Sequence, residues 1–304
     1  MYIRNRETIQ IDPSGMELRP EGLKPFNVVA NDIDLRLPLY RQYTIAHHWH
    51  AELELFLLTE GCVCIEAGNQ AIHLSAGEGC FINSGVIHAF SSDNLRPYVF
   101  QSIVFDAAIV GGAPASAFDL RLVKPILETG PGFLAFTKGR EASAFLRLFN
   151  DIFLACRDEP DGFEIEIRYG LSRMLRMIIA LAGSKDGPPP SKRREDRVKE
   201  MLQWIDSHMS EKLTVEEIAA SSNICRRECF RLFRQYLRTT PMGCVNQRRI
   251  MAAARRISTT DDPIAVIALD CGFATPNYFS KRFQEQMGLP PREWRNMIKS
   301  GQIE

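Results

Sequence analysis

The stretch CGFATPNYFSKRFQEQMGLPPREWR, Cys271 to Arg295, decides how this chain is read. Gly272 closes one helical pattern, and Thr275 with Pro276 has the composition of an N-cap and first helical position. Phe279 and Phe283 then recur at the spacing of one helix face, with Asn277, Ser280, Lys281 and Gln284 on the other. This is the pattern of a helix-turn-helix, and a second one lies upstream in LTVEEIAASSNICRRECFRLFRQYLRTTP, Leu213 to Pro241. Two such units can place a helix in each of two successive major grooves on one face of duplex DNA. The partner expected for this half of the chain is therefore double-stranded DNA.

The local signals in the upstream unit agree with one another. Thr214 and Glu217 form a T-x-x-E capping box, and Asn223 supplies a turn. Arg226 to Leu237 fits a helix with Cys229, Leu232, Phe233 and Tyr236 inward, and Arg226, Arg227, Phe230, Arg231 and Arg234 outward. Thr240 with Pro241 opens a long helix running towards Ile257, and Asp262 with Pro263 repeats that N-terminal device.

These residues resemble the AraC/XylS family of bacterial transcriptional regulators. Its hallmark spacing is met by Ile267, Ala268, Gly272, Phe273, Tyr278, Phe279, Phe283, Gly288, Pro291 and Arg295. Trp294 stands where Tyr is usual, and Glu228 and Cys229 stand where the family commonly has Tyr and Leu. The resemblance covers roughly the last hundred residues and implies two helix-turn-helix units joined by the Pro241–Ile257 helix. By position it assigns base contacts to Arg226, Arg227, Phe230 and Arg231 in the first unit, and to Asn277, Ser280 and Lys281 in the second, with Pro276 at the groove edge. The chemistry suits this: Arg can chelate guanine, Asn can pair with adenine, and Phe can meet a thymine methyl. Arg234, Arg248, Arg282 and Arg292 are expected on phosphates, which set register.

The charge distribution agrees. Net charge is zero, but residues 192–304 hold 20 Lys+Arg against 14 Asp+Glu, and residues 1–191 hold 17 against 23. A basic module joined to an acidic one suits a nucleic-acid-binding half attached to something else. The opening MYIRNRETIQ carries charges where a secretion signal needs an apolar run, and no apolar stretch approaches membrane-spanning length. The expectation is a cytoplasmic bacterial protein with no membrane partner. The 8 cysteines include no CxxC pair and read as reduced, buried thiols.

The N-terminal half has a different texture. Short alternating runs from Phe26 to Phe105 predict an antiparallel sandwich or barrel. From Glu141 the period becomes helical, with Phe145, Leu148, Phe149, Ile152 and Phe153, then Ile167, Leu171, Leu175, Ile178 and Ile179. Gly183 to Arg194, GSKDGPPPSKRR, reads as a Pro-rich linker. The predicted class is α+β multidomain: a barrel over 1–110, a helical segment over 111–183, a linker over 184–194, and an all-α double helix-turn-helix over 195–304.

Within the barrel, His48, His50, Glu54 and Gly61, followed by Gly77, Asn83, Gly85 and His88, look like the paired cupin motifs. Asn83 replaces the usual proline, and Ser92 stands where Asn is common. The even offsets of His48, His50 and Glu54 predict that they share one face of a strand. The cupin resemblance implies that His48, His50, Glu54 and His88 could hold one divalent metal (Fe, Mn, Ni or Zn), and a metal-dependent cupin enzyme or metal-sensing regulator is the second class of function. The AraC/XylS resemblance instead implies a sensor in which the same four residues bind a small polar effector. Arg41 reads as an ordinary surface arginine or as a contact for an anionic effector; His47 falls on the opposite strand face, at the surface, and His73 and His208 are assigned no role. The apolar helices fit packing on the barrel or a dimer seam, and the family favours a homodimer. Activation, with RNA polymerase as a partner, is the commoner family outcome.

Overall fold

Short β-branched and aromatic runs broken by turn residues build the first unit of the computed structural model, which describes residues 2–4, 10–11, 17–18, 26–36, 43–68, 70–92, 96–182 and 192–299. Three short strands, β1 (Tyr2–Arg4), β2 (Gln10–Ile11) and β3 (Glu17–Leu18), come first. The barrel strands follow: β4 (Val28–Asp34), β5 (Thr44–His48), β6 (Leu53–Glu60), β7 (Cys62–Ala67), β8 (Gln70–Ser75), β9 (Gly79–Ile82), β10 (His88–Ser91), β11 (Val99–Phe105) and β12 (Phe133–Phe136). Of the barrel's two sheets, one has the order β1-β4-β11-β6-β9-β12 and the other β5-β10-β7-β8, while β2 and β3 form a separate two-stranded sheet. Among the described residues of the six- and four-stranded sheets, β1 pairs with β4 in parallel and the other pairings are antiparallel.

Alternation along each strand makes two cores. Phe56 and Leu58 of β6 join the core between the sheets, while Leu53, Leu55 and Leu57 join the core under the helices. Phe56, Phe90 and Phe100 stack on one another in the core between the sheets, with centroids 4.8–5.9 Å apart.

The barrel does not end at residue 110. After α1 (Ala108–Gly111), a π-helical turn at Asp119–Val123 and α2 (Lys124–Thr129), the chain returns to the sheet as β12. β12 pairs with β9 from Phe133↔Ile82 to Phe136↔Gly79. A four-residue apolar run between helices has no periodicity to separate strand from helix, so sequence placed it in the helical segment.

The helices α3 (Gly139–Asp158) and α4 (Phe163–Ala182) settle part of what their apolar faces do. Phe145, Phe149, Ile152, Leu171 and Leu175 pack with Leu53, Phe81 and Ile103 in one core, and the Phe145 ring stacks on Phe136 at 4.4 Å. Those predicted faces are thus buried against the barrel; Leu154, Ile165 and Tyr169 remain exposed. No helix among the described residues is long and apolar enough to cross a membrane.

Described residues from 193 onward form a separate, helical unit. Its helices are α5 (Lys192–Ser207), α6 (Val215–Ser221), α7 (Arg226–Leu237), α8 (Pro241–Thr259), α9 (Ile264–Asp270), α10 (Pro276–Met287) and α11 (Pro291–Lys299). Lys192 to Arg194, read as the end of the linker, already belong to α5; the rest of that segment, like Arg41, lies outside the described residues. Glu195 of α5 is buried, and its Oε1 has no hydrogen-bond partner among the described residues. Burial pushes its carboxyl up to about 7; Lys199 opposes the rise and Asp196 adds to it. A carboxyl with a raised folded pKa stabilises the fold fully below its unfolded value and loses that contribution as pH rises through about 7. We expect urea unfolding of the chain to weaken by roughly 2–3 kcal/mol between pH 5 and 8, and Glu195→Gln to flatten that slope. Equal slopes in both proteins would contradict the assignment.

Candidate nucleic-acid interface and barrel site

The first helix-turn-helix is assembled by its caps. The Thr214 hydroxyl accepts from the Glu217 amide at 3.3 Å, and the Glu217 carboxylate accepts from the Thr214 amide at 2.8 Å, completing the capping box ahead of α6. Asn223 turns the chain at φ 52, and α7 begins at Arg226. Cys229, Leu232, Phe233 and Tyr236 are buried, as their spacing predicts. Arg226, Arg227, Arg231 and Arg234 are exposed on the opposite face, and Phe230 is half-buried under the Arg226 guanidinium, 5.7 Å from its ring centroid.

Those cations differ in their surroundings. Arg226 pairs with Glu216 of α6 at 3.0 Å. The Arg231 guanidinium is gripped by both oxygens of Glu228, at 2.7 and 2.5 Å, and also donates to Gln235 at 3.0 Å. The Arg231 side chain holds the Glu228 carboxyl below the usual carboxylate range. Among the described residues Arg227 has no ion-pair partner. Glu216 and Glu228 were missed as parts of this surface, although the three-residue step from Glu228 to Arg231 was a readable signal.

The second unit repeats the plan. The Thr275 hydroxyl accepts from the Tyr278 amide at 3.3 Å at the start of α10. Phe279 and Phe283 are fully buried; Asn277, Lys281 and Gln284 are exposed, and Ser280 is half-exposed. Two details depart from the sequence reading. Asp262 is not a cap: α9 starts at Ile264 with no side-chain cap, and the Asp262 carboxylate accepts from Arg256 at 2.8 Å. Arg248 does not face phosphates: its guanidinium is buried against Asp206 of α5 at 2.7–2.8 Å, so that cation is spent inside the domain.

In the barrel, His48, His50, Glu54 and His88 come together and all are buried. They do not share one strand face. His48 ends β5, His50 lies in the turn beyond it, and Glu54 belongs to β6 of the other sheet. Convergence comes from the facing of the two sheets, with His88 of β10 registered opposite His48. The ring nitrogens of the three histidines lie within 4.8 Å of one another. Glu54 Oε2 is 3.3 Å from Nε2 of both His50 and His88.

Each imidazole is oriented through Nδ1: His48 bonds to Ala46 O at 2.8 Å, His50 to Glu52 O at 3.1 Å and His88 to Val86 O at 2.8 Å. A carbonyl can only accept, so each Nδ1 donates to it, and the opposite edges of the rings turn inward, where His50 Nε2 lies within hydrogen-bond distance of Glu54 Oε2 at 3.3 Å. Burial, followed by the neighbouring His88 and His50, holds the His48 imidazole well below its ordinary pKa. Burial alone would raise the Glu54 carboxyl, but His50 and His88 outweigh it and keep it far below the usual range. Among the described residues, the ligand nitrogens of His48, His50 and His88 lie close enough together that one metal ion could be held by them.

Asn83 explains the departure from the cupin proline. Its side-chain amide donates to Ile126 O at 2.8 Å and Pro131 O at 3.1 Å, fastening the loop before His88 to the α2–β12 connection. His47 lies outside the cluster and pairs with Glu66 at 3.0 Å. His208 bonds to Trp204 O at 2.8 Å and stacks on that indole. Cys62 and Cys225 are exposed thiols, against the expectation of burial, and the other six are buried.

Comparison with known proteins places both halves. Residues 32–171 match the model of the AraC-like ligand binding domain, and residues 218–297 match a helix-turn-helix domain. The chain is 30% identical over 266 residues to the HTH-type transcriptional activator RhaS of Klebsiella pneumoniae, covering 86% of this chain and 91% of that one. It is 24% identical over 253 residues to the HTH-type transcriptional regulator YdeC of Bacillus subtilis, covering 82% and 86%. Wild-type ToxT of Vibrio cholerae is a structural neighbour at 13% identity and TM-score 0.49, covering 93% of this chain and 99% of that one. With a ligand-binding module at one end, a DNA-binding pair of helix-turn-helices at the other, and a relative similar along nearly its whole length, the chain belongs to the AraC family of transcriptional regulators.

Proposed function

We propose that this regulator reads its operator with the outer faces of α7 and α10 and is controlled by a small ligand received at His48, His50, Glu54 and His88. The observation that carries the reading is the division of α7 into a fully buried inner face and a cationic outer one, on a helix fixed by a capped turn. Arg226, Arg227, Phe230 and Arg231 meet bases in one groove, and Asn277, Ser280 and Lys281 in the next. Arg234, Arg282 and Arg292 remain for phosphates. Two copies act together, with Leu154, Ile165 and Tyr169 as the apolar surface left for a second chain. The protein works in the cytoplasm as an activator that meets RNA polymerase, in keeping with the name of its RhaS relative, and catalyses no reaction.

Arg227 is the residue to remove. On an operator selected from a random duplex library, Arg227→Ala should cost about 1–3 kcal/mol and relax preference at one base pair. Arg231→Ala should fall in the same range if its guanidinium leaves Glu228 for a base. Mobility shifts, with circular dichroism as the control on folding, measure both. Wild-type affinity in the two variants together would refute the placement.

A further inference from the structure

The outer face of α7 carries an acid among its cations. We infer that Glu228 is a positioning residue for sequence recognition: it fixes the Arg231 guanidinium as a rigid fork whose remaining donors read a guanine of the operator. This rests on α7 entering a major groove, and it names the base that one of its side chains takes.

The first ground is how Glu228 uses its carboxylate. It is the third residue of α7, the position from which Glu217 closes the capping box of α6 with Thr214. In α7 the N-cap is Cys225, and no side chain caps the helix. The Glu228 carboxylate turns instead to Arg231, one turn on, where Oε2 accepts from Nε at 2.7 Å and Oε1 from Nη2 at 2.5 Å. Arg231, opposed by burial and helped by Arg194 and Arg197 of α5, holds this carboxyl below its ordinary range, so the acid stays charged. With side chains 43% and 28% exposed, the pair adds little to stability. Two parallel bonds do fix the plane and direction of a guanidinium. Arg226, by comparison, meets Glu216 through a contact of 3.0 Å between one nitrogen and one oxygen.

The second ground is the count of donors. A guanidinium has five N–H groups. Glu228 takes one on Nε and one on Nη2, and Gln235 Oε1 takes one on Nη1 at 3.0 Å. One N–H is left on each terminal nitrogen, with no further partner among the described residues. Two donors on neighbouring nitrogens fit two neighbouring acceptors. In the major groove only guanine offers that pair, as N7 and O6; adenine and thymine each present one acceptor, and cytosine presents a donor. Arg231 therefore meets its base while Glu228 still holds it.

The third ground is charge. A free surface arginine meets phosphates, and those contacts carry no sequence information. A phosphate drawn to Arg231 would be brought against the Glu228 carboxylate. At a base other than guanine that acid still repels acceptors, while the fork is left partly unpaired. A repulsive element of this kind sharpens discrimination. Because Arg231 is ordered before DNA arrives, it also loses less rotamer freedom on meeting the correct base.

The test uses the full chain and an operator selected from a random duplex library. Four duplexes are compared, differing only at the base pair where Arg231→Ala relaxes the preference. Wild type should favour guanine there over each alternative by about tenfold or more. Glu228→Gln keeps the side chain's shape and loses its charge, so the preference should fall to about threefold or less, with circular dichroism unchanged. Added to Arg231→Ala, the same substitution should relax the preference no further, because the acid acts through the arginine. Full preference for guanine in folded Glu228→Gln would overturn the inference. So would relaxation by Glu228→Gln at a different base pair, an equal effect of Glu228→Gln with and without Arg231, or a preferred base other than guanine. If Arg231→Ala alters preference at no base pair while Arg227→Ala does, the inference falls and α7 stands as a reading helix. If neither variant does, the DNA reading of α7 falls with it.

Discussion

Gly272→Ala should destabilise the DNA-binding unit by roughly 3 kcal/mol or more and abolish operator binding. Gly272 follows α9 with φ 83, a conformation that costs an ordinary residue about 1–2 kcal/mol. A methyl group there would drive into the Met209 carbonyl oxygen and come within 2.9 Å of the Arg249 guanidinium. Neither neighbour can yield cheaply. Arg249 is buried and donates to Met209 O at 2.8 Å and Glu211 O at 2.6 Å, so moving it would strand two carbonyls. The turn of the second helix-turn-helix thus rests against the segment that enters the first, and one added carbon disturbs both. Gly77→Ala is the control: φ is 86, but no atom lies within 4 Å of the added carbon, so only the conformational cost of about 1–2 kcal/mol should appear. Urea unfolding of both variants separates clash from backbone strain. A loss in Gly272→Ala no larger than in Gly77→Ala would show that the close approach does not exist.

Gly272 also marks the line between what is legible in the sequence and what is not. Its place after α9 follows from local rules, as do the capping box at Thr214 and the inward stripe of Cys229, Leu232, Phe233 and Tyr236, because each signal and its partner lie within one or two helical turns. Its abutment on Met209 does not, because that contact spans the domain. The four barrel residues are legible as types at a spacing, yet strand alternation gave the wrong reason for their meeting. His50 has left its strand, and Glu54 sits on the opposing sheet, so their approach is a consequence of tertiary closure. Surface cations suffer most from this limit. A one-dimensional pattern treats Arg227, Arg231 and Arg248 alike, whereas the fold gives Arg231 a carboxylate on its own helix and Arg248 one on α5.

Arg248 carries the second large effect. Its guanidinium and the Asp206 carboxylate meet at 2.7 Å with side-chain exposures of 14% and 8%, joining α8 to α5. Two buried charges are costly to desolvate and are stable only together, so truncating one strands the other. Arg248→Ala should therefore cost about 3–5 kcal/mol, well above an exposed ion pair such as Arg282 with Glu285, whose removal should cost less than about 1 kcal/mol. Because α8 also carries α9, α10 and α11, operator binding should fall with stability rather than through a lost DNA contact. The double variant Arg248→Met with Asp206→Leu distinguishes the two causes. It removes both charges and fills the volume, so it should recover most of the stability and, with it, operator affinity. If it refolds to near wild-type stability but still binds operator a hundredfold more weakly, Arg248 touches DNA after all and its burial against Asp206 has been misread.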